Sequence, residues 1–545
     1  MSTIDTSPDV MTAAHAADGD DATLAAARWI TSTDHKAIGR TLLITSLVIG
    51  VAVAVVGALL GFERIDGEGT LLDEGSLPQL FTAFRFGLIY GLVAPLLLGI
   101  AVAIVPLQVG ARSLAFPRLA AAGLWTWLGG IVLVVISLAS NGGPLGGEED
   151  MVGLFVAAHG LVVIGLAAVA LTLAATVLTS RAPGMRLERV PFFSWAVLVT
   201  SVGLLVLMPV VLGRVIYLFV DHRNGRTIFG GNAGLDSWLG SAWTQPATYL
   251  FVIPAVGLLA ELTPVAFGKR APMRLVGYAG LALIGVAALS AVSQQAHLVD
   301  WNDDAGSFIG ELVLWAFFLG LPLLGTLIVL GLVSLIAKPS GGRRAPKVSS
   351  PLVFAFFGTG MILVGMLAGA ANHLVDLGLI GTVFEEAALV YVAYGGVLAG
   401  LGAIAYWTPV WTGHVIGDKQ ALGLAALGLV ATVFASLPFV IAGFADQPAG
   451  SVTYSYDGPS GLWNLLVSVG HALMAVTLLA FLGLVAKAFT GRSEASGDDP
   501  WRGHTLEWKT TLPAPAGNFV EPPTVRSPEP VYDLRATPTH DGKDR

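Results

Sequence analysis

Few side chains in this 545-residue sequence can do chemistry, and the most conspicuous of them lie inside apolar runs. In QLFTAFRFGLIYGLVAP (79–95), Arg85 stands about a turn and a half into a hydrophobic segment. A charge at such depth costs on the order of 2.5–3.5 kcal/mol even on lenient insertion scales. In GTVFEEAALVYVAYGG (381–396), Glu385 and Glu386 are consecutive acids at the start of another such run. An intramembrane arginine needs an anion, and a guanidinium–carboxylate fork supplies two hydrogen bonds. Arg85 with Glu386, or failing that Glu385, is the expected pair; the alternative is that Arg85 snorkels to the nearby interface. Arg214, Glu261 and Glu311 are further charges in apolar runs, the last two near segment ends where water can solvate them. Of ten histidines only His159 and His471 fall well inside apolar segments. A lone histidine there reads as a hydrogen-bonded core residue. Met208, Met361, Met366 and Met474 read as core or lipid-facing residues rather than axial ligands. Cysteine is absent, which excludes disulfides, thiolate metal sites and thiol nucleophiles.

The elements that must hold these residues are membrane helices. Hydrophobic residues make up 54% of the chain and charged residues 12%, with a mean hydropathy of +0.75, the composition of a polytopic membrane protein. Twelve apolar segments reach spanning length: 41–62, 81–106, 119–139, 152–178, 192–219, 240–268, 275–293, 309–336, 351–371, 382–408, 421–445 and 461–486. Lysine and arginine fix the expected orientation. The N-terminus, the even-numbered connections and the C-terminal tail hold 24 of them, whereas the other loops hold only Arg64, Arg223 and Arg226. Both termini are therefore expected in the cytoplasm. Residues 1–28 lack apolar periodicity and read as a disordered segment, 29–489 as one membrane domain, and 490–545, rich in Pro, Gly and charge, as an extended tail.

Several stretches in order resemble subunit I of the heme-copper oxidases, most closely the cytochrome c oxidase type. They are WITSTDHKAIG (29–39), VPLQVGARSLAFPRL (105–119), RAPGMRLERVPFFSWAVLVT (181–200), DHRNGRTIF (221–229), QPATYLFVIPAVG (245–257), GKRAPMRLVGYAG (268–280), YWTPVWTG (406–413) and PWRGHTLEWKTTLPAPAGNF (500–519). The resemblance implies an all-α membrane protein with the twelve-transmembrane-helix heme-copper oxidase subunit I fold, embedded in the plasma membrane of a bacterium beside subunit II- and III-like partners. It also implies two hemes and one copper on six histidines, and the matching positions hold none. The second-helix ligand position is Phe84, and the tenth-helix positions are Ala388 and Val390. The copper-ligand positions are Gln245 and the pair Gln294 and Gln295, although the motif tyrosine persists as Tyr249. Proton-input positions read Ser113, Ala247 and Thr326, and DQPAGS (446–451) replaces the arginine pair that clamps heme propionates.

No heme or copper is therefore expected, and cytochrome c oxidase activity is not expected either. The leading expectation is a structural or regulatory subunit of a respiratory membrane complex. Alternatives are an active terminal oxidase with relocated ligands, His159 and His471 being the candidates, and an ion or proton transporter using Arg85, Glu385, Glu386 and Arg214. The glutamines and Tyr249 are expected to converge where the family holds copper, and Arg85 to face Glu386 across the low-spin heme position. Nothing in the sequence points to nucleic acid.

Overall fold

Apolar runs of this length satisfy their backbone in lipid only as helices, and each of the twelve becomes one. The computed structural model describes residues 23, 27–66, 72–73, 75–293, 298–338, 348–453, 459–521 and 523–536. Most of the expected disordered segment 1–28, together with Gln294, Gln295 and His297, lies outside these described residues. The spans are α1 (His35–Glu63), α2 (Leu77–Gln108), α3 (Pro117–Ala139), α4 (Glu149–Thr179), α5 (Phe192–Arg223), α6 (Tyr249–Phe267), α7 (Arg274–Val292), α8 (Ala305–Ala337), α9 (Ser350–Asn372), α10 (Val383–Thr412), α11 (Asp418–Gly443) and α12 (Ser460–Phe489). The sixth begins nine residues later than its hydropathy indicates, because residues 241–248 form turns between a short helix, Gly231–Gly240, and the span.

Burial sorts the spans. The most apolar stretches of α2 and α10 are 100% buried and that of α6 is 83% buried, whereas the other nine are 39–61% buried. Three helices thus form the centre, with the rest wrapped around them, and α12 closes the ring against α1. Close approach needs small residues, since lipid provides no hydrophobic force between helices. The stretch LGLAALGLVATVFAS (422–436) lies in α11, where a Cβ on Gly470 of α12 would stand 2.2 Å from the Ala435 nitrogen. The central helix α2 contains a π-helical turn, Gly87–Val93, immediately after the Phe84–Phe86 segment.

An even number of spans brings both chain ends to one face. There His35 Nε2 lies 2.9 Å from Asn518 Oδ1, and Lys36 donates to the same oxygen at 3.1 Å. The tail beyond α12 packs along that face. Trp501 donates to Tyr406 O, and Val525 N donates to Pro183 O. Glu507, 0% exposed, accepts hydrogen bonds from Gln108 of α2 at 3.0 Å, Thr505 at 2.8 Å and Trp407 of α10 at 3.1 Å. Gln108 also donates to Glu261, which accepts from Phe193 N at 2.8 Å. Glu261 is thus buried and bonded, not solvated as its place near a segment end indicated, because the folded-back tail covers that end of α6. Glu311 is half-buried and accepts from Asp300 N.

Burial pushes the Glu507 carboxyl above the ordinary carboxylate range, against the hydrogen bonds from Gln108, Thr505 and Trp407 that pull it down. A carboxyl raised in the docked state binds its proton more tightly there than in a free tail. Docking is therefore strongest below the ordinary carboxylate range and weakens as pH rises through the raised value. Limited proteolysis of the tail in purified chain should accelerate with rising pH, and Glu507→Gln should flatten that dependence.

Candidate functional site

The charged centre of the protein forms where α1, α2 and α10 meet the connection between α11 and α12. Thr382 caps α10, its hydroxyl accepting from Phe384 N, and this sets Glu386 one turn inside the helix. Glu386 is 7% exposed. Its principal partner is Arg64, which ends α1: Nη1 donates to Oε2 at 2.9 Å and Nη2 to Oε1 at 3.0 Å. Arg64 is 1% exposed, with Phe81 at 4.8 Å and Phe439 at 5.3 Å from its guanidinium carbon. Its Nε donates to Ser451 O at 2.9 Å, and Gly450 N donates to Glu386 Oε1 at 3.0 Å. Asn464 of α12 donates to Arg64 O at 2.9 Å. The segment DQPAGS thus supplies backbone groups to the fork.

Arg85 does face Glu386, but as a second and looser partner at 3.6 Å. Its side chain is 25% exposed and turns toward a cavity on the face opposite the chain ends. Sequence reasoning counted Arg64 among the loop arginines and missed it. Its place immediately after an apolar run, in GFER, was the available signal. Glu385 lines the cavity and shares nothing with the fork. Arg214 is buried without a carboxylate partner among the described residues; it donates to Ser241 Oγ at 2.8 Å and Val292 O at 3.3 Å, with its guanidinium carbon 5.8 Å from the Trp238 ring centroid.

Beside the fork, Phe84 meets His471 of α12 edge to face, with ring centroids 5.1 Å apart. The Tyr394 hydroxyl of α10 and His471 Nδ1 hydrogen-bond at 2.7 Å. A Cβ on Gly57 of α1 would stand 2.7 Å from the Phe84 ring and 2.9 Å from the His471 ring, so both rings press on bare backbone. Three aromatic rings therefore occupy the space between α2 and α10 at the level of Phe84. His159 is not the hydrogen-bonded core residue its position indicated. Neither ring nitrogen has a hydrogen-bond partner among the described residues, and its ring lies among Phe86, Tyr90, Phe155 and Trp243. His471 contacts Phe84 and His159 contacts Phe86, two residues on, which places them about 200° apart around α2. They cannot clamp one heme between them.

Tyr249, one turn after Gln245, donates to Gln245 Oε1 at 3.2 Å, and Gln245 Nε2 donates to Gly365 O at 3.4 Å. That half of the expected amide cluster is in place; Gln294 and Gln295 lie outside the described residues. Phe84, Ala388 and Val390 are all buried, and none carries a lone pair to give a metal. The residues present do not fit a bis-histidine heme between α2 and α10. Among the described residues no group of three or more His, Cys, Asp or Glu is placed to hold a metal ion.

Removing one partner of a buried ion pair costs on the order of 3–5 kcal/mol, because the other charge is left uncompensated. Arg64→Ala should lower unfolding stability by about that amount, and Arg64→Ala with Glu386→Ala by less. Arg85→Ala, which loses a long and partly exposed contact, should cost about 1 kcal/mol or less. Denaturant unfolding of the purified variants checks this order.

The family described as Cytochrome C and Quinol oxidase polypeptide I matches the chain over residues 37–473. A putative cytochrome c oxidase subunit 1-beta of Streptomyces avermitilis is 30% identical, covering 94% of this chain and 93% of its own length. A cytochrome c oxidase subunit 1 of Corynebacterium glutamicum is 28% identical over 93% of this chain and 88% of its own. The match runs from α1 into α12 and includes the central helices that carry the charged fork and the aromatic cluster, so the chain belongs to the Cytochrome C and Quinol oxidase polypeptide I family and is a cytochrome c oxidase subunit I-like membrane protein.

Proposed function

We propose that this protein is a catalytically silent subunit I, serving as a structural or regulatory subunit of a respiratory membrane complex. The observation that carries the reading is the packing of Phe84, His471 and Tyr394 between α2 and α10. An iron porphyrin there needs an axial nitrogen from each helix, and the matching side chains are a phenyl on one and an isopropyl on the other. The nearest imidazole nitrogen, His471 Nδ1, is engaged by a tyrosine hydroxyl. The polar inputs that an oxidase needs for protons are equally altered, with Ser113, Ala247 and Thr326 at the matching positions. Thr326 is buried and spends its hydroxyl on Pro322 O and Met366 Sδ.

The family's first subunit sits in a membrane complex with other subunits. Loop and tail stretches that resemble the family survive here while the redox residues do not, which supports a retained docking shape. The complex would lie in the plasma membrane of a bacterium, with subunit II- and III-like partners. The basic face, which holds the chain ends, would be cytoplasmic. The transporter reading is weaker, because Glu386 is locked in a bidentate fork and the space beneath the charged cavity is filled by rings.

The purified chain, with whatever co-purifies, should show no Soret absorbance equivalent to one heme per chain and no stoichiometric copper. It should bring down other oxidase-type subunits through an affinity tag. A one-heme Soret band on the isolated chain would overturn the reading.

A further inference from the structure

A cavity of about 450 Å³ opens on the face opposite the chain ends. Its walls come from α2, the first turn of α10, the end of α9 and the segment leading into α6, and they include Arg85, Asp236, Trp238, Trp243, His373 and Glu385. The volume lies in the range of small-molecule sites. Arg85 lies within electrostatic reach of Asp236 and Glu385 but, among the described residues, makes no ion-pair contact with either, so hydrogen-bonding capacity of both signs stays open to the cavity. Arg85 makes a single ion-pair contact, the 3.6 Å approach to a Glu386 whose two oxygens already serve Arg64 and Gly450. Its remaining N–H groups have no hydrogen-bond partner among the described residues. The carboxylates of Asp236 and Glu385 make neither an ion pair nor a hydrogen bond with any described residue.

A guanidinium with open donors is a receptor for a carboxylate. Two unpaired carboxylates beside tryptophan faces receive an ammonium. A simple anion in this space would be repelled by Asp236 and Glu385, and a simple cation would leave the open donors of Arg85 unused. His373 does not change the balance, because burial holds its pKa down and its Nδ1 is bound to Gly369 O at 2.7 Å.

We propose that this cavity binds a small zwitterion of the amino-acid type, its carboxylate on Arg85, its ammonium on Glu385 and Asp236, and its apolar body against Trp238 and Trp243. The site is preorganised: the Arg64 fork fixes the α10 turn that presents Glu385, and Arg85 is held on the fully buried α2. Burial pushes the Asp236 carboxyl up while Arg85 pulls it down, so an incoming cation relieves a penalty already present.

Isothermal titration of the purified full chain with three ligands of one shape tests the proposal: L-phenylalanine, phenethylamine (cation only) and 3-phenylpropionate (anion only). L-phenylalanine should bind saturably and about tenfold or more tighter than either single-charge analogue. Glu385→Gln and Asp236→Asn should each weaken it severalfold, and Arg85→Gln should bring its affinity down to that of phenethylamine. If Arg85→Gln does not fold, the two carboxylate variants carry the test. A single-charge analogue binding as tightly as L-phenylalanine, an affinity unchanged in all variants, or no saturable binding of any of the three would overturn the assignment.

Discussion

A guanidinium buried in a membrane protein has no neutral form to retreat to, and much of this architecture follows from housing one. The burial of Arg64 therefore has to be matched by an anion held in place. Glu386 is that anion, and the two cannot meet unless the end of α1, the first turn of α10 and the connection between α11 and α12 converge. Three remote parts of the chain are thereby fixed relative to one another at a single point. Replacing such a pair with apolar groups of similar volume can be neutral for stability, so its presence speaks more for geometry than for strength.

The same junction decides what Arg85 can do. Both oxygens of Glu386 are saturated by nearer donors, and Arg85 is left with a long contact and an open side toward solvent. One carboxylate thus divides two arginines into a structural one and an available one. Beside it, the space between the central helices is filled by rings whose edges and faces interlock, as a well-packed interior requires. Here a phenylalanine, a histidine and a tyrosine from three helices close the gap, and a glycine on a fourth admits them.

The sequence made the number of spans and their order legible, because each depends on composition along short stretches. The sixth span was misjudged at its start, since the segment 241–248 is apolar enough to extend the run yet folds as turns. The charged site was half legible. Glu386 and Arg85 stand out as charges in apolar surroundings, whereas Arg64 looked like an ordinary loop residue because nothing local reveals that a helix end is tucked inward. Glu261 failed in the same way: its solvation depended on a tail 246 residues downstream that folds back over it. His471 reads as a hydrogen-bonded core residue, but its tyrosine partner lies on another helix and could be found only from the fold.

The contact between His35 and Asn518 joins residues 483 positions apart. With synthesis at 5–20 residues per second, Asn518 emerges about 25–100 s after His35. For that interval the first helix must reside in the bilayer without its final neighbours, since α12 and the tail that cover it are made last. The topology therefore places the closing step of folding after translation, and it makes the earliest helix the one most dependent on being sheltered while the rest is built.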